Sequence, residues 1–165
     1  MSARSLFVTG TDTGVGKTVV ACTVLRQLVA DGQRAVGFKP VASGCIETGD
    51  GWRSEDALAH VDADRIDIDY GLRNPYALPL PLEPEIAARE AGVDVELARI
   101  VDAHARLRTL HEGVLVEGVG GWLARTTPGS ALRRVNSARP VRAPLDVANL
   151  VALWGLNPAA AKNSA

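Results

Sequence analysis

The sequence contains little cysteine and no long apolar run, and both absences exclude classes of protein. The two cysteines, Cys22 and Cys45, give neither a disulfide framework nor a C-x-x-C metal pair. No apolar run approaches the roughly 18 residues of a membrane span, so we exclude an integral membrane protein and expect no membrane partner. The first residues lack the long apolar stretch of a secretory signal, so the predicted location is the cytoplasm.

Lysine is scarce in a chain that has many arginines. Only three of the 18 basic residues are lysine, namely Lys17, Lys39 and Lys162. An ammonium is a compact charge, whereas a guanidinium is a planar fork, so the two are not interchangeable at a binding site. Lysine at these few positions therefore indicates a need for a compact cation.

Charge is distributed unevenly along the 165 residues. The net charge of −1 argues against a strongly basic nucleic-acid binder. However, residues 1–122 carry 18 acidic and 12 basic side chains, whereas residues 123–165 carry one acidic and six basic side chains. Since 47% of the residues are hydrophobic, the chain can bury a core. We predict one domain over residues 1–122 and a divergent Arg/Pro-rich tail over residues 123–165.

The first 40 residues follow the pattern of a βαβ unit. Residues 6–8 and 35–38 are short apolar runs that predict buried strands. Apolar positions at helical spacing predict a helix that begins at Lys17 and stops at a glycine after residue 31. Strand, turn, helix and strand in this order predict a parallel sheet with a right-handed crossover. A third predicted strand, over residues 114–116, ends in a glutamate.

The segments that follow the second strand carry weaker signals. Residues 44–53 are polar and rich in glycine, which predicts a loop. Ser54 is a suitable N-cap for a short helix through about residue 61. The aspartates within residues 62–69 do not match a calcium loop, which needs a glycine at position six and a closing glutamate. They therefore predict a solvated acidic turn.

A proline-rich connector and a longer helix precede the third strand. Residues 75–84 contain four prolines and predict an extended connector. Residues 94–111 predict an amphipathic helix with a broad apolar face that includes Val101, His104 and Leu110. We interpret His104 as a packed helix residue, since it has no potential ligand partner at helical spacing.

A glycine-rich segment joins the first strand to the first helix and reads Thr-Gly-Thr-Asp-Thr-Gly-Val-Gly-Lys-Thr over residues 9–18. Backbone N–H groups and a helix N-terminus converge there, which favours a phosphate. Gly14 and Gly16 let the backbone approach the anion, Lys17 can reach the terminal phosphates and the Thr18 hydroxyl can bind Mg²⁺. A threonine stands at the first-glycine position of the strict P-loop pattern. The segment therefore predicts a variant P-loop that binds a nucleoside triphosphate.

Three charged residues are candidates for the rest of this site. Glu117 follows a buried strand, where an open α/β sheet places functional carboxylates, and Asp56 lies near a helix start. Lys39 follows another buried strand and would stabilise charge during phosphoryl transfer. The alternatives are a surface carboxylate for Glu117, a carboxylate that only stabilises the helix dipole for Asp56, and a surface lysine for Lys39.

These segments together resemble the dethiobiotin synthetase family. The resemblance is carried in the right order by residues 8–18, 37–44, 54–58, 74–76 and 116–122. The variant P-loop alone would also fit partitioning ATPases and cobyrinate amidases. The Lys-Pro-Val-Ala-Ser-Gly stretch within the second of these segments narrows the choice to this family.

The resemblance implies a fold, a reaction and partners. The fold would be a P-loop NTPase-like parallel sheet flanked by helices, with the C-terminal part of the family fold missing. In the reaction, CO₂ forms a carbamate on one amine of 7,8-diaminononanoate, ATP phosphorylates the carbamate, and the second amine displaces phosphate to close the ureido ring. ATP and Mg²⁺ would be the cofactors, and the family forms homodimers that bind no nucleic acid.

The resemblance also assigns roles to individual residues. Lys39 would be catalytic, Thr13 and Ser43 would contact substrate, and Mg²⁺ would be held by Thr18, Asp56 and Glu117. The nucleotide would be held by Gly14, Val15, Gly16, Lys17, Thr18, Val19, Asp56, Glu117, Gly118, Val119 and Gly120.

The visible resemblance stops near Leu123, and family members run considerably longer. We expect residues from about 124 onward to be read out of frame or to belong to a truncated gene, which the other reading frames of the coding DNA would test. One alternative function is a catalytically inactive nucleotide-binding fragment. Another is an ATPase switch whose basic tail contacts nucleic acid, but the tail lacks a helix-turn-helix pattern and interleaved aromatic residues.

Overall fold

Twelve short elements make up the part of the chain that the computed structural model describes, residues 3–120. The predictions for the tail over residues 123–165 and for its reading frame lie outside these residues. In chain order the elements are β1 (Arg4–Val8), α1 (Lys17–Ala30), β2 (Ala35–Phe38), β3 (Val41–Ser43), β4 (Ile46–Thr48), β5 (Gly51–Arg53), α2 (Glu55–Asp64), α3 (Tyr70–Arg73), β6 (Tyr76–Leu78), α4 (Pro84–Glu90), α5 (Leu97–Leu110) and β7 (Gly113–Glu117).

The three predicted strands form one parallel sheet in the order β1-β7-β2. Val116 of β7 lies opposite Phe7 on one side and Phe38 on the other. The predicted βαβ unit and the α/β fold class, a parallel sheet flanked by helices, are therefore confirmed. Because the strands are parallel, the phosphate loop follows β1, Lys39 follows β2 and Glu117 ends β7 at the same edge of the sheet, where such sheets bind ligands.

Both faces of this sheet are covered by helices. Because side chains alternate along each strand, each face contributes its own apolar residues to a buried cluster. One face forms a buried cluster with α5 that contains Val36, Phe38, Val114, Val116, Ile100, Ala103 and Leu107. The other face forms a cluster with α1 and α2 that contains Val8, Ala35, Leu115, Ala21, Val24, Leu25, Leu28 and Ala63. These two apolar layers fix the strand ends that carry the polar residues. Within residues 3–120 no helix is both long enough and apolar enough to cross a membrane.

The predicted loop and the predicted connector both contain strands. Within the loop, β4 and β5 pair as an antiparallel hairpin. In the connector, β6 pairs in parallel with β3, and α4 then begins with Pro84 as its first residue. Proline is accepted there because the first helical N–H needs no partner. Strands of three residues are too short to produce the alternation that would have predicted them.

Two predicted helices differ from the observed ones. Ser54 is the N-cap of α2 as expected, with its hydroxyl accepting from the backbone N–H of Ala57 at 3.4 Å, but the helix continues to Asp64. The buried stripe of α5 is narrower than predicted, because Val101 and Leu110 are each 52% exposed. His104 packs as expected, stacked on Phe38.

Asp64 contradicts the prediction of a solvated acidic turn. Its carboxylate is buried and forms an ion pair with the equally buried Arg73. Asp64 Oδ2 also accepts from the backbone N–H of Gly37 at 2.8 Å, and Arg73 donates to the Gly37 carbonyl at 3.0 Å. A further bond joins Arg73 to the carbonyl of Ile66 at 2.9 Å. The pair therefore satisfies backbone groups of β2 and ties α2 and α3 to that strand.

We expect Arg73→Ala to lower the free energy of unfolding by about 3–5 kcal/mol, because it leaves the buried Asp64 carboxylate without its partner. Urea denaturation followed by circular dichroism measures the change. The control is Arg89→Ala, which removes an ion pair at the surface. The Arg89 side chain is 70% exposed, and its Nε lies 3.6 Å from Glu90 Oε1. This variant should lose at most about 1 kcal/mol. Equal small losses in both variants would contradict the structural role of the buried pair.

Candidate active site

The predicted phosphate loop connects β1 to the first turn of α1. Gly14 and Gly16 have φ values of 76° and 94°, so both adopt the left-handed backbone that favours glycine. Gly16 is the N-cap of α1 and provides no side-chain cap. The first N–H groups of this 14-residue helix are thus not capped by the preceding side chain, which suits an anion.

Lys17 is the first residue of α1, directly after the loop, and is buried. Its Nζ donates to the backbone carbonyl of Asp12 at 2.6 Å, so the side chain curves back over the loop. Burial, followed by the positive charge of Lys39, lowers the pKa of Lys17 from its ordinary value. Both lysines that the sequence singled out in this half of the chain are therefore in the same site.

Four polar side chains converge beyond the loop. Thr18 Oγ1 lies 2.8 Å from Asp56 Oδ1 and 2.8 Å from Glu117 Oε1. Lys39 Nζ lies 2.6 Å from Asp56 Oδ2, 2.8 Å from Glu117 Oε1 and 3.2 Å from the carbonyl oxygen of Gly118. Helix α1, strand β2, helix α2 and strand β7 each supply or precede one of these residues. The surface alternatives for Glu117 and Lys39 are wrong, since their exposures are 0% and 2%.

Glu117 is a buried carboxylate that stays ionised. Burial opposes its charge and would raise its pKa, but the hydrogen bond from His60 and the charge of Lys39 outweigh that effect. Together they lower the pKa of Glu117 from 4.5 to about 2. The carboxylate therefore acts only as an acceptor at neutral pH.

His60 is a residue of the site that the sequence analysis missed. It is fully buried in α2, and its Nε2 lies 2.8 Å from Glu117 Oε2. Asp56 and His60 are four residues apart, so they share one face of α2. That spacing was the signal in the sequence, but it was not recognised because the partner of His60 is distant along the chain.

These side chains surround a cleft of about 1160 Å³. Of the predicted site residues, the lining includes Thr13, Gly14, Gly16, Lys17, Thr18, Val19, Lys39, Ser43, Asp56, Glu117, Val119 and Gly120. Val15 and Gly118 do not line the cleft. The lining also includes four residues of the proline-rich segment that were not predicted, namely Pro81, Leu82, Glu83 and Pro84. Prolines there indicated only an extended chain, and nothing in their spacing indicated a binding wall.

The described residues contain no group of three or more His, Cys, Asp or Glu side chains arranged to hold a metal on their own. Any ion in the cleft would have two carboxylates and a hydroxyl from the protein and would need further oxygen ligands. This donor set suits Mg²⁺, which keeps waters and phosphate oxygens in its coordination sphere. It does not suit a closed zinc site.

The stability of the chain should depend on pH through Glu117. Its pKa in the folded state lies below the ordinary value, so its stabilising contribution is full above about pH 4.5 and is lost as the pH falls towards 2. The loss amounts to about 3 kcal/mol over this window. Urea titrations between pH 6 and pH 3 should show that Glu117→Gln removes much of this slope. The exposed Glu90→Gln should keep it, and an unchanged slope in Glu117→Gln would contradict the assignment.

Comparison of the sequence with known proteins places the chain in a family. The model of the AAA domain family matches residues 4–135. The ATP-dependent dethiobiotin synthetase BioD of Xanthomonas axonopodis pv. citri is 52% identical over 151 residues, which are 92% of this chain and 61% of that protein. The proteins of the same name from Xanthomonas euvesicatoria pv. vesicatoria and Xylella fastidiosa are each 50% identical over 151 residues, covering 61% and 60% of their lengths.

Two consequences follow from these matches. The chain spans about three fifths of the length of the curated relatives that it matches. An alignment of 151 residues cannot fit within residues 1–122, so the similarity continues past Leu123, where the visible motifs end. The predicted resemblance to the dethiobiotin synthetases is confirmed by these relatives, and the chain belongs to the AAA domain family.

Proposed function

We propose that the chain catalyses the ATP- and Mg²⁺-dependent carboxylation and ring closure of 7,8-diaminononanoate with CO₂, which yields dethiobiotin, ADP and phosphate. The observation that carries the proposal is the convergence of Thr18, Lys39, Asp56 and Glu117 beside the phosphate loop. The similar proteins are ATP-dependent dethiobiotin synthetases, which supports an ATP-dependent synthesis of dethiobiotin. The diamine, CO₂ and the ring closure are what the family resemblance implies. The homodimer and the absence of a nucleic-acid partner stay predictions of the resemblance, and the cytoplasmic location stays a prediction from the N-terminal sequence.

The phosphate loop would bind the triphosphate of ATP. The left-handed glycines at 14 and 16 leave open space where a Cβ would stand, so an anion can approach the backbone N–H groups closely. Lys17 would add its charge at the terminal phosphates. Gly118 and Val119 continue from β7 along the same edge and would complete the nucleotide site.

The geometry around Thr18 fits a magnesium ion. A hydroxyl has one proton to donate, yet Thr18 Oγ1 lies 2.8 Å from oxygens of both Asp56 and Glu117. In at least one of these close oxygen pairs, therefore, Thr18 does not donate a hydrogen bond and the two oxygens repel each other. A bound cation would reduce this repulsion. Thr18, Asp56 and Glu117 would hold Mg²⁺. The bound ion would neutralise phosphate charge, as it does in phosphoryl transfer generally.

Lys39 would act on the reacting groups. In the first step an amine nitrogen of the diamine bonds to the carbon of CO₂, the electrons of one C=O π bond move to oxygen, and the nitrogen loses a proton to water, giving a carbamate. A carbamate oxygen then bonds to the γ-phosphorus while the bond from that phosphorus to the β–γ bridging oxygen breaks, and ADP leaves. Lys39, held by Asp56 and Glu117, would stabilise the charge on the carbamate and on the transferring phosphoryl group.

The phosphorylated carbamate is a mixed anhydride of a carbamic acid and phosphoric acid, and the ring closes at its carbonyl carbon. The second amine attacks this carbonyl carbon, the bond from that carbon to the phosphate-bearing oxygen breaks, and phosphate leaves with its electron pair. The amine nitrogen loses one proton to water, which leaves the neutral ureido ring. Thr13 and Ser43 line the cleft and would contact the diamine. The protein's task is to position these groups, since an oriented second amine reacts as if at very high concentration.

Lys39→Ala should lower the rate of diamine-dependent ADP release by at least about 100-fold, because it removes a preorganised charge from the reacting groups. The measurement is a coupled assay of ADP on the purified chain with 7,8-diaminononanoate, bicarbonate and MgATP. Arg26→Ala is the control, since Arg26 is exposed on α1 outside the cleft.

Two outcomes would decide against parts of this proposal. Diamine-dependent turnover that survives Lys39→Ala would contradict the role of Lys39. A wild-type chain that binds MgADP but never releases ADP in the complete assay would favour the alternative of a catalytically inactive nucleotide-binding fragment.

Thr18→Val should abolish the gain in nucleotide affinity that Mg²⁺ provides, because valine keeps the shape of threonine but removes the oxygen ligand. Thr18→Ser keeps that oxygen and should retain most of the gain. Calorimetric titration of ADP, with Mg²⁺ and separately with EDTA, gives both affinities. Equal gains in the valine and serine variants would exclude Thr18 from the magnesium site.

A further inference from the structure

We infer that His60 is a positioning residue for Glu117: it holds the inner carboxylate oxygen so that the other oxygen faces the cleft. This inference rests on the proposed function, because it assigns Glu117 to the magnesium site. The two oxygens of Glu117 have different neighbours. Oε2 lies 2.8 Å from His60 Nε2, whereas Oε1 lies 2.8 Å from both Thr18 Oγ1 and Lys39 Nζ.

The direction of the hydrogen bond follows from the chemistry of the two groups. Glu117 is ionised and can only accept, so the proton between them belongs to His60 Nε2. Within residues 3–120 the other ring nitrogen, Nδ1, is buried and has no hydrogen-bond partner. A buried polar atom without a partner costs free energy that an apolar residue at position 60 would avoid. Packing in the core alone therefore does not account for a histidine at position 60, whereas its hydrogen bond to Glu117 does.

The neighbouring strand leaves room for this ring. A Cβ added to Gly37 of β2 would lie 2.6 Å from both Cβ and Cγ of His60 and 2.7 Å from Nδ1. Only glycine at this position allows the imidazole to lie across β2 and reach β7. The packing thus fixes the ring from the side, while the hydrogen bond fixes the carboxylate at its end.

Carboxylates that bind metals generally depend on such outer partners. A residue that orients a metal ligand typically contributes 10–100-fold to metal affinity. His60 satisfies the oxygen of Glu117 that points into the core, which prevents the carboxylate from rotating away from Thr18. Loss of this bond should weaken Mg²⁺-dependent nucleotide binding without changing the binding of the metal-free nucleotide.

The experiment compares His60→Leu with His60→Gln in the full chain. Leucine fills the space without a donor, whereas the side-chain amide of glutamine places an N–H near the position of Nε2. Calorimetric titration of ADP is carried out with Mg²⁺ and with EDTA. We expect His60→Leu to bind MgADP about 10–100-fold more weakly than the wild type, with its affinity in EDTA unchanged. His60→Gln should recover most of the MgADP affinity.

Several results would overturn the inference. His60→Leu that binds MgADP as the wild type does would show that packing alone is needed at this position. His60→Gln that binds as weakly as His60→Leu would show that the donor is not what counts. If His60→Leu does not fold, His60→Asn replaces it, since its amide is one methylene too short to reach Glu117, and the same comparison with His60→Gln applies.

The inference and the proposed function can fail separately. A wild-type chain that gains affinity for ADP from Mg²⁺ but shows no diamine-dependent turnover contradicts the proposed reaction. In that case the MgADP affinities of the variants relative to the wild type still test the role of His60. A wild-type chain that gains no affinity from Mg²⁺ contradicts the magnesium site and overturns the role of His60 with it.

Discussion

The buried contact between Lys39 and Glu117 is the constraint on which the site depends. A carboxylate and an ammonium removed from water each lose several kcal/mol of solvation, and only close partners offset that loss. Glu117 accepts from Lys39, which follows β2, and from His60 of α2, and Thr18 of α1 lies 2.8 Å from the same carboxylate. The site therefore cannot form before the sheet and both helices of one face are assembled. Its geometry is a consequence of that assembly.

Helix α2 connects this contact to the rest of the fold. Asp56, His60 and Asp64 follow one another at intervals of four residues, so they form one stripe along the helix. The first residue of the stripe contacts Lys39, the second contacts Glu117, and the third binds the backbone of Gly37. These three polar residues of α2 therefore each contact a residue of β2, of β7 or next to these strands. A helix of this kind positions a site and contributes to the core with the same face.

The sequence predicted the parts of the fold that local patterns determine. Neighbouring residues were enough to predict the three apolar strands, the glycine-rich loop and the cap at Ser54. They were also enough to place Lys39 and Glu117 at the carboxyl edge of the sheet, because each lies next to a predicted strand. Asp64 was misjudged because its partners, Gly37 and Arg73, lie 27 and nine residues away. His60 was missed for the same reason, since Glu117 lies 57 residues away. Contacts at such separations depend on topology, which no local periodicity reports.

The scarcity of lysine has a geometric explanation at position 39. Lys39 Nζ has three acceptors around it, one oxygen each from Asp56, Glu117 and the backbone of Gly118. An ammonium presents three protons from one nitrogen and matches three acceptors that surround a point. A guanidinium spreads its donors across a plane and matches a carboxylate edge, which is a different arrangement. Arginine at this position would bring three nitrogens spread over a plane to a place where a single nitrogen now meets three acceptors. The compact cation is therefore required by the arrangement of these three acceptors as well as by the charge.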